Sequence, residues 1–81
     1  MDDLQSIPGV GKNMAAHLNA LGIEHVDDLK GKDPEELYQR ECLRNGGTVD
    51  RCVLYVYRLA VAWAEGRIET PEQRKWWNWK D

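Results

Sequence analysis

The chain has 81 residues, 42% of them apolar and 31% charged, which is enough apolar mass for one small core and not for a second. Its net charge of −3, with nine acids against four bases in the first 41 residues, excludes the broad basic field of many DNA-binding domains. No apolar run exceeds six residues, so we expect neither a membrane span nor a secretory signal and place the protein in the cytoplasm.

Apolar residues recur at helical spacing along the first half, and the alternation typical of strands is absent. A short first helix is expected to end near Ser6, before the Pro8-Gly9 break. The second is expected from about Lys12 to Leu21, with Gly22 at its C-terminal cap. One more helical turn is expected at Val26 to Leu29.

Three further helices are expected in the second half. The first has Asp33 as its N-cap and runs from Pro34 to about Leu43. Thr48 is expected to cap the longest helix, Val49 to Glu65, in which thirteen of seventeen residues are apolar. A last helix is expected from Thr70 to Trp79, started by a capping box.

The segment from Ile7 to Asn13 has the composition of a phosphate-binding turn. Gly9 and Gly11 flank Val10, which we expect to anchor the turn in the core. Glycine permits positive φ and a close approach of a ligand, and the first amides of the next helix lie unpaired at the positive end of its dipole. Lys12 adds a cation at the same place. A P-loop is excluded because its upstream glycine and its Ser or Thr after the lysine are absent.

These residues resemble the helix-hairpin-helix motif of DNA repair and recombination proteins, over the stretch from Leu4 to Leu18. The resemblance implies that the hairpin amides bind the nucleic-acid backbone without reading its sequence. It assigns the contacts to Gly9, Val10, Gly11, Lys12 and Asn13. The whole chain, including residues 50–58 and 76–81, also resembles the small bacterial pathogenicity-locus family, which implies no particular activity.

An offset of twenty-two residues reveals a degenerate second hairpin. It maps Leu4, Ile7, Gly9, Ala15 and Leu21 onto Val26, Leu29, Gly31, Leu37 and Leu43. Asp33 then stands at the place of Gly11 and Pro34 at that of Lys12, so a carboxylate would repel phosphate and an amide donor is lost. We expect this hairpin to be structural, with three peripheral cations: Lys30, Lys32 and Arg44.

No catalytic or metal-binding constellation is apparent, and we predict a non-catalytic protein without a metal or cofactor. Cys42 and Cys52 lack the spacing of a zinc site and are expected to be buried free thiols. Neither His17 nor His25 has a sequence neighbour that would suggest a nucleophilic triad. Both cysteines and both histidines are therefore expected to be structural or exposed.

Three tryptophans, Trp76, Trp77 and Trp79, follow Arg74 and Lys75 near the end of the chain. Such a cluster could stack on unpaired bases or anchor a partner protein. Alternatively, the last helix folds back and uses one or two indoles to close a small core.

The sequence thus predicts a single domain over residues 1–81, an all-α, compact five-helix fold of the SAM-like, paired helix-hairpin-helix kind, with up to two additional short helices. The expected ligand is the backbone of DNA or RNA, contacted nonspecifically through residues 8–13. The alternative is a protein-interaction or dimerisation module that binds no nucleic acid. A monomer is favoured slightly over a homodimer, since the other helices can cover the apolar central helix.

Overall fold

The computed structural model describes residues 3–79, and all regular structure in that range is helical. It contains three α-helices, α1 (Lys12–Ala20), α2 (Pro34–Arg44) and α3 (Cys52–Ala64). Four 3₁₀ turns accompany them: Asp3–Ser6, Val26–Leu29, Pro71–Arg74 and Trp76–Trp79. The all-α class is confirmed. The five-helix count is wrong, because the first and last expected helices are 3₁₀ turns.

The C-terminal segment forms two 3₁₀ turns and not one helix, and side chains donate to two of its carbonyls. In an α-helix, the carbonyls of Glu72 and Gln73 would accept from amides four residues later. Instead, Asn78 Nδ2 donates to the Glu72 carbonyl at 2.9 Å, and Trp79 Nε1 donates to the Gln73 carbonyl at 2.7 Å. Lys75 between the two turns has extended backbone, with φ −88° and ψ 113°.

Helix α3 begins later than expected, and Thr48 is not its cap. Asp50 Oδ1 accepts from the Cys52 amide at 3.0 Å, while the Tyr38 hydroxyl donates to the Val49 carbonyl and ties this segment to α2. The expected end is confirmed, since Gly66 follows α3 with φ +73°. Its neighbour Arg67 donates its amide to the Ala62 carbonyl at 2.9 Å, the bond that closes a Schellman cap.

The start of α2 is also as expected. Asp33 precedes it in extended conformation and accepts from the Glu35 amide at 3.0 Å. Pro34 occupies the first helical position, where no amide hydrogen is needed.

Helix α3 is the centre of the molecule, and the chain itself buries most of it. Nine of its residues are buried: Val53, Leu54, Val56, Tyr57, Leu59, Ala60, Val61, Ala62 and Ala64. It packs against α2, against the turn at Val26–Leu29 and, most extensively, against the turn at Trp76–Trp79. The C-terminal segment therefore contributes cover that the N-terminal helices do not supply.

Leu43 is not part of this cover, contrary to its place in the offset pattern. Its side chain is 81% exposed. The buried face of α2 carries Leu37, Tyr38 and Glu41. Leu43 lies almost opposite this face around the helix. The second copy of the apolar pattern therefore ends before Leu43.

Within residues 3–79, no helix has the length and apolarity that crossing a bilayer would require.

Candidate functional site

The predicted hairpin is a tight turn anchored in the core on both sides. The Val10 amide donates to the Ile7 carbonyl at 3.0 Å across Pro8 and Gly9, and Gly9 has φ +84°. Pro followed by a positive-φ Gly is the pattern of a type II turn. Ile7 and Val10 are buried, as expected for Val10, while Gly9 is exposed on the turn between them. Two apolar anchors thus hold the turn at the surface.

Gly11 plays a different part from Gly9. It is the N-cap of α1 in extended conformation, with φ −93° and ψ −170°, which any residue can adopt. The positive φ that glycine permits is therefore used at Gly9 and not at Gly11. A Cβ built there meets no atom within 4 Å, so the space in front of the helix start is open.

The start of α1 presents amides without partners. The first bond into the helix joins the Ala15 amide to the Gly11 carbonyl at 2.9 Å. The amides of Lys12, Asn13 and Met14 find no acceptor within residues 3–79. Gly11, Lys12 and Asn13 are all exposed. These donors lie at the positive end of the α1 dipole, which favours an anion.

A tryptophan lies on the side of Gly9 where a side chain would project. A Cβ built on Gly9 would lie 3.2 Å from Trp76 Cδ1 and 3.4 Å from Trp76 Cβ. On the side where a side chain would project, Gly9 therefore faces an indole of the C-terminal segment. The structure brings together two regions that the sequence treats as separate.

The turn and helix recur twenty-two residues later, as the offset predicts. The Lys32 amide donates to the Leu29 carbonyl at 3.1 Å, and Gly31 has φ +76°, which repeats the geometry of the first turn. Helix α2 starts at Pro34 where α1 starts at Lys12. The chain therefore carries two equivalent turn-and-helix units.

The two units differ in which groups accept hydrogen bonds from their backbone amides. In the second, Glu65 Oε2 accepts from the Gly31 amide at 3.0 Å, and Asp33 Oδ1 accepts from the Glu35 amide. The Gly31 amide and Arg67 hold the pKa of the Glu65 carboxyl below its usual value. In the first, no carboxylate of residues 3–79 accepts from the amides at Lys12 or Asn13. Carboxylates of the protein accept from amides of the second unit, whereas the amides at Lys12 and Asn13 of the first have no acceptor in the described part of the chain.

The predicted cations are engaged to different degrees. Lys12 and Lys32 are exposed and make no ion pair within the described residues. Lys30 Nζ lies 3.2 Å from Asp27 Oδ1, and Arg44 Nη2 lies 2.7 Å from Glu41 Oε1. The contact of the three peripheral cations with nucleic acid stays a prediction.

The structure contains a buried carboxylate that the sequence did not predict. Glu41 is 1% exposed, and its Oε1 lies 2.8 Å from His17 Nδ1 and from Asn45 Nδ2. Desolvation works to raise its pKa, but the hydrogen bonds from Arg44 and Asn45 outweigh it and the pKa is lowered. The group joins α1 to α2. Its signal in the sequence is the four-residue spacing from Leu37, which places Glu41 on the buried stripe of α2.

The three C-terminal tryptophans have distinct environments. Trp76 packs partly buried against the core, and Trp79 is held by its bond to the Gln73 carbonyl, while Arg58 donates to the Trp79 carbonyl at 2.8 Å. Trp77 is 49% exposed and meets Trp76 edge to face, with ring centroids 5.6 Å apart. The expectation that indoles close a small core holds for Trp76.

A second surface feature lies at the C-terminal end of α2. An open groove of about 630 Å³ is lined by Gln39, Cys42, Leu43, Gly46, Gly47 and Thr48. Cys42 is a free thiol and half-buried, as is Cys52, so neither is as deeply enclosed as expected. Among residues 3–79, no cluster of three or more His, Cys, Asp or Glu side chains is arranged to hold a metal ion.

Comparison with known proteins identifies a family and a similar protein. A family model described as Cdd1, pathogenicity locus, matches residues 1–81. The chain is similar to the mitomycin resistance protein McrB of Streptomyces lavendulae, at 34% identity over 77 residues, which are 95% of this chain and 70% of that protein. No solved structure matches the chain.

Proposed function

The chain belongs to the Cdd1 pathogenicity-locus family, and on the geometry of its first hairpin we propose that it contacts the backbone of DNA or RNA nonspecifically. The two turn-and-helix units are proposed to form a paired helix-hairpin-helix architecture. The contacts are made by residues 8–13, with the amides at the start of α1 as donors and Lys12 as the adjacent cation.

The difference between the two hairpins carries this proposal. The same backbone geometry occurs twice, and in the second copy carboxylates occupy the amides of Gly31 and Glu35. A position that attracts the protein's own anions in one copy is suited to an external anion in the other. Phosphate oxygens supply that chemistry, and backbone recognition needs no base contact.

The charge around the hairpin makes the binding weak. Affinity for nucleic acid comes mainly from the number of phosphates neutralised by cations, and Lys12 is the cation adjacent to the exposed amides. Lys30 and Lys32 lie in the second turn and are proposed as secondary contacts. Gln39 and Arg40 are exposed on α2, but Arg40 donates to the Leu21 carbonyl at 3.1 Å and Arg44 pairs with Glu41, so sequence readout in the major groove is not expected.

The test is a titration of a short labelled duplex and its single strand, at low and at moderate salt. Lys12→Glu should abolish binding by reversing the charge beside the amides. Gly11→Asp is the sharper variant, because it copies Asp33 and places a carboxylate over the Asn13 amide. It should also abolish binding, while stability stays equal or rises by a few tenths of a kcal/mol from the new cap.

Gly11→Ala is the matched control. Its Cβ enters open space and its backbone is unstrained, so the amides remain available and binding should persist. Loss of binding in Gly11→Ala together with retention in Gly11→Asp would contradict the proposal, as would an absence of binding at low salt.

The name of the similar McrB protein connects it to mitomycin resistance. We propose a test of the same role here, by expressing the chain in a mitomycin-sensitive bacterium. If the hairpin acts in such resistance, wild type and Gly11→Ala should protect and Gly11→Asp should not. Equal protection by all three would separate any resistance from the hairpin.

A protein-interaction or dimerisation module is the second candidate. The groove beside the exposed Leu43 favours it, since an exposed leucine at an apolar recess is a common element of protein contacts. Under this alternative, Leu43→Lys would disrupt association and the hairpin variants would have no effect.

A further inference from the structure

The exposed indole of Trp77 belongs to a segment that hydrogen bonds hold near the hairpin. In a 3₁₀ turn, residues three apart share a face, which places Trp76 and Trp79 together and Trp77 on another side. Trp79 Nε1 binds the Gln73 carbonyl, and Arg58 Nη1 binds the Trp79 carbonyl. The turn packs against α3. Trp77 is thus displayed from a tethered segment, and its exposure is a feature of the fold.

The indole of Trp77 is separated from the proposed phosphate-binding turn by the ring of Trp76. A Cβ built on Gly9 would lie 3.2 Å from Trp76 Cδ1, and Trp77 contacts Trp76 with ring planes at 89°. In an edge-to-face pair, at least one face of Trp77 remains uncovered by Trp76. A nucleic acid whose backbone lies on the hairpin is therefore close to the Trp76–Trp77 pair.

The surroundings of Trp77 suit a flat ligand better than a protein surface. Among residues 3–79, Trp77 and Leu43 are the large apolar side chains that are strongly exposed, and Leu43 lies at the separate groove on α2. The polar neighbours of Trp77 along the chain are engaged with Glu72: Asn78 donates to the Glu72 carbonyl at 2.9 Å, and Lys75 Nζ lies 3.2 Å from Glu72 Oε1. A protein interface requires a contiguous apolar patch, whereas a single base needs one aromatic face.

We propose that Trp77 is a stacking platform for an unpaired base, so that the chain prefers single-stranded segments or strand ends that adjoin the backbone held by the hairpin. This inference rests on the proposed function and adds the substrate class to it. Stacking is independent of base identity, which agrees with nonspecific binding.

The experiment compares three labelled probes: a blunt duplex, the same duplex with a single-stranded overhang, and the single strand alone. Trp77→Ala should weaken binding to the two probes with unpaired bases by about fivefold to a hundredfold, the range of one aromatic stack, and leave the blunt duplex unchanged. Quenching of tryptophan fluorescence by the single strand should fall in the same variant.

Two further substitutions identify the interaction. Trp77→Tyr keeps an aromatic face and should restore most of the affinity, whereas Trp77→Leu keeps an apolar side chain and should not. Leu43→Ala removes the other exposed apolar side chain and should bind all three probes as wild type does. Circular dichroism and denaturant melts confirm that each variant folds.

The outcomes separate this inference from the proposed function. If hairpin variants lose all probes while Trp77→Ala loses none, the hairpin proposal stands and the stacking platform falls. If Trp77→Ala loses the probes with unpaired bases while Lys12→Glu and Gly11→Asp bind as wild type, the reverse holds. Rescue by Trp77→Leu would overturn stacking in favour of a general apolar contact, and failure of wild type to bind any probe would overturn both.

Discussion

Several carboxylates in this chain accept hydrogen bonds from backbone amides. Asp3 Oδ1 accepts from the Val26 amide at 3.1 Å, and Asp28 Oδ2 accepts from the amides of Glu24 and His25 at 3.0 and 3.1 Å. Hydrogen bonds from those two amides lower the pKa of Asp28. The acidic first half of the sequence is therefore explained in part by caps on turns.

Gly9 should be less tolerant of substitution than Gly22. Both have positive φ, +84° and +89°, where an alanine costs about 1–2 kcal/mol, but only at Gly9 does a Cβ meet another side chain, Trp76. Urea melts should show Gly9→Ala costing about 1 kcal/mol more than Gly22→Ala.

A double-mutant cycle provides the control for this contact. In a Trp76→Ala background the two glycine substitutions should cost the same, because the indole no longer limits Gly9. Equal costs in the wild-type background would contradict the packing of Trp76 against the hairpin.

Glu41 should make the stability of the protein sensitive to acid. Its pKa in the folded state is below the usual value of 4.5, so its stabilising contribution is complete above that pH and is lost as the pH falls through the folded pKa. Glu41→Gln should lower the free energy of unfolding by roughly 1–3 kcal/mol at neutral pH and flatten its decline in acid.

Denaturant melts from pH 7 downwards measure both effects. Glu36→Gln alters an exposed carboxyl on the same helix and should change the free energy of unfolding by less than about 0.5 kcal/mol at neutral pH. A Glu41→Gln variant that declines in acid as steeply as wild type would assign the acid sensitivity to other carboxyls.

Among the elements, α3 connects the two halves of the fold. It packs on α2 and the turn at Val26–Leu29, and also on the C-terminal turn that carries the tryptophans. Glu65 at its C-terminal end binds the Gly31 amide of the second hairpin. One helix therefore supports the core, closes the second hairpin and positions the segment that covers the first.

Truncation within α3 should be severe. Val56 and Leu59 are 4% and 0% exposed, and replacing either with Ala should destabilise the domain by about 2–4 kcal/mol. For a domain of this size such a loss can unfold the chain. The exposed Leu43→Ala is the control, and a cost below about 0.5 kcal/mol for both core changes in chemical denaturation would contradict the burial of α3.

For the molecule as a whole, the monomer remains the prediction. The chain itself buries nine residues of α3, so covering this helix does not require a second copy. Sedimentation at micromolar concentration should give one species at the 9.4 kDa of the chain. A species of twice that mass that Leu43→Lys converts to monomer would support the dimerisation alternative.

Since the net charge of the chain is −3, we expect its binding to nucleic acid to depend only weakly on salt. With roughly two to three phosphates neutralised, the slope of log K against log salt on duplex DNA should be about −2 to −3. Lys12→Ala should reduce its steepness by about one. A slope near −6, or a strong preference for one duplex sequence, would indicate a larger binding surface elsewhere.

Local signals predict much of this fold because caps and turns are made by neighbouring residues. The Asp33 cap, the glycine that ends α3 and the repeat of the hairpin turn at an offset of twenty-two residues all follow from short motifs. Where such signals fail, hydrogen bonds run to other partners: Asp50 accepts from the Cys52 amide before α3, and Asn78 and Trp79 donate to the carbonyls of Glu72 and Gln73.

The candidate site divides in the same way. The pattern of Gly9, Val10, Gly11 and Lys12 is sufficient to locate the turn and its open amides, since both depend on residues adjacent in the chain. Contacts between distant segments decide the rest: Trp76 covers Gly9, Glu65 fills the second hairpin, and Glu41 pairs with His17. No periodicity encodes which segments meet, because that depends on how all the apolar faces pack at once.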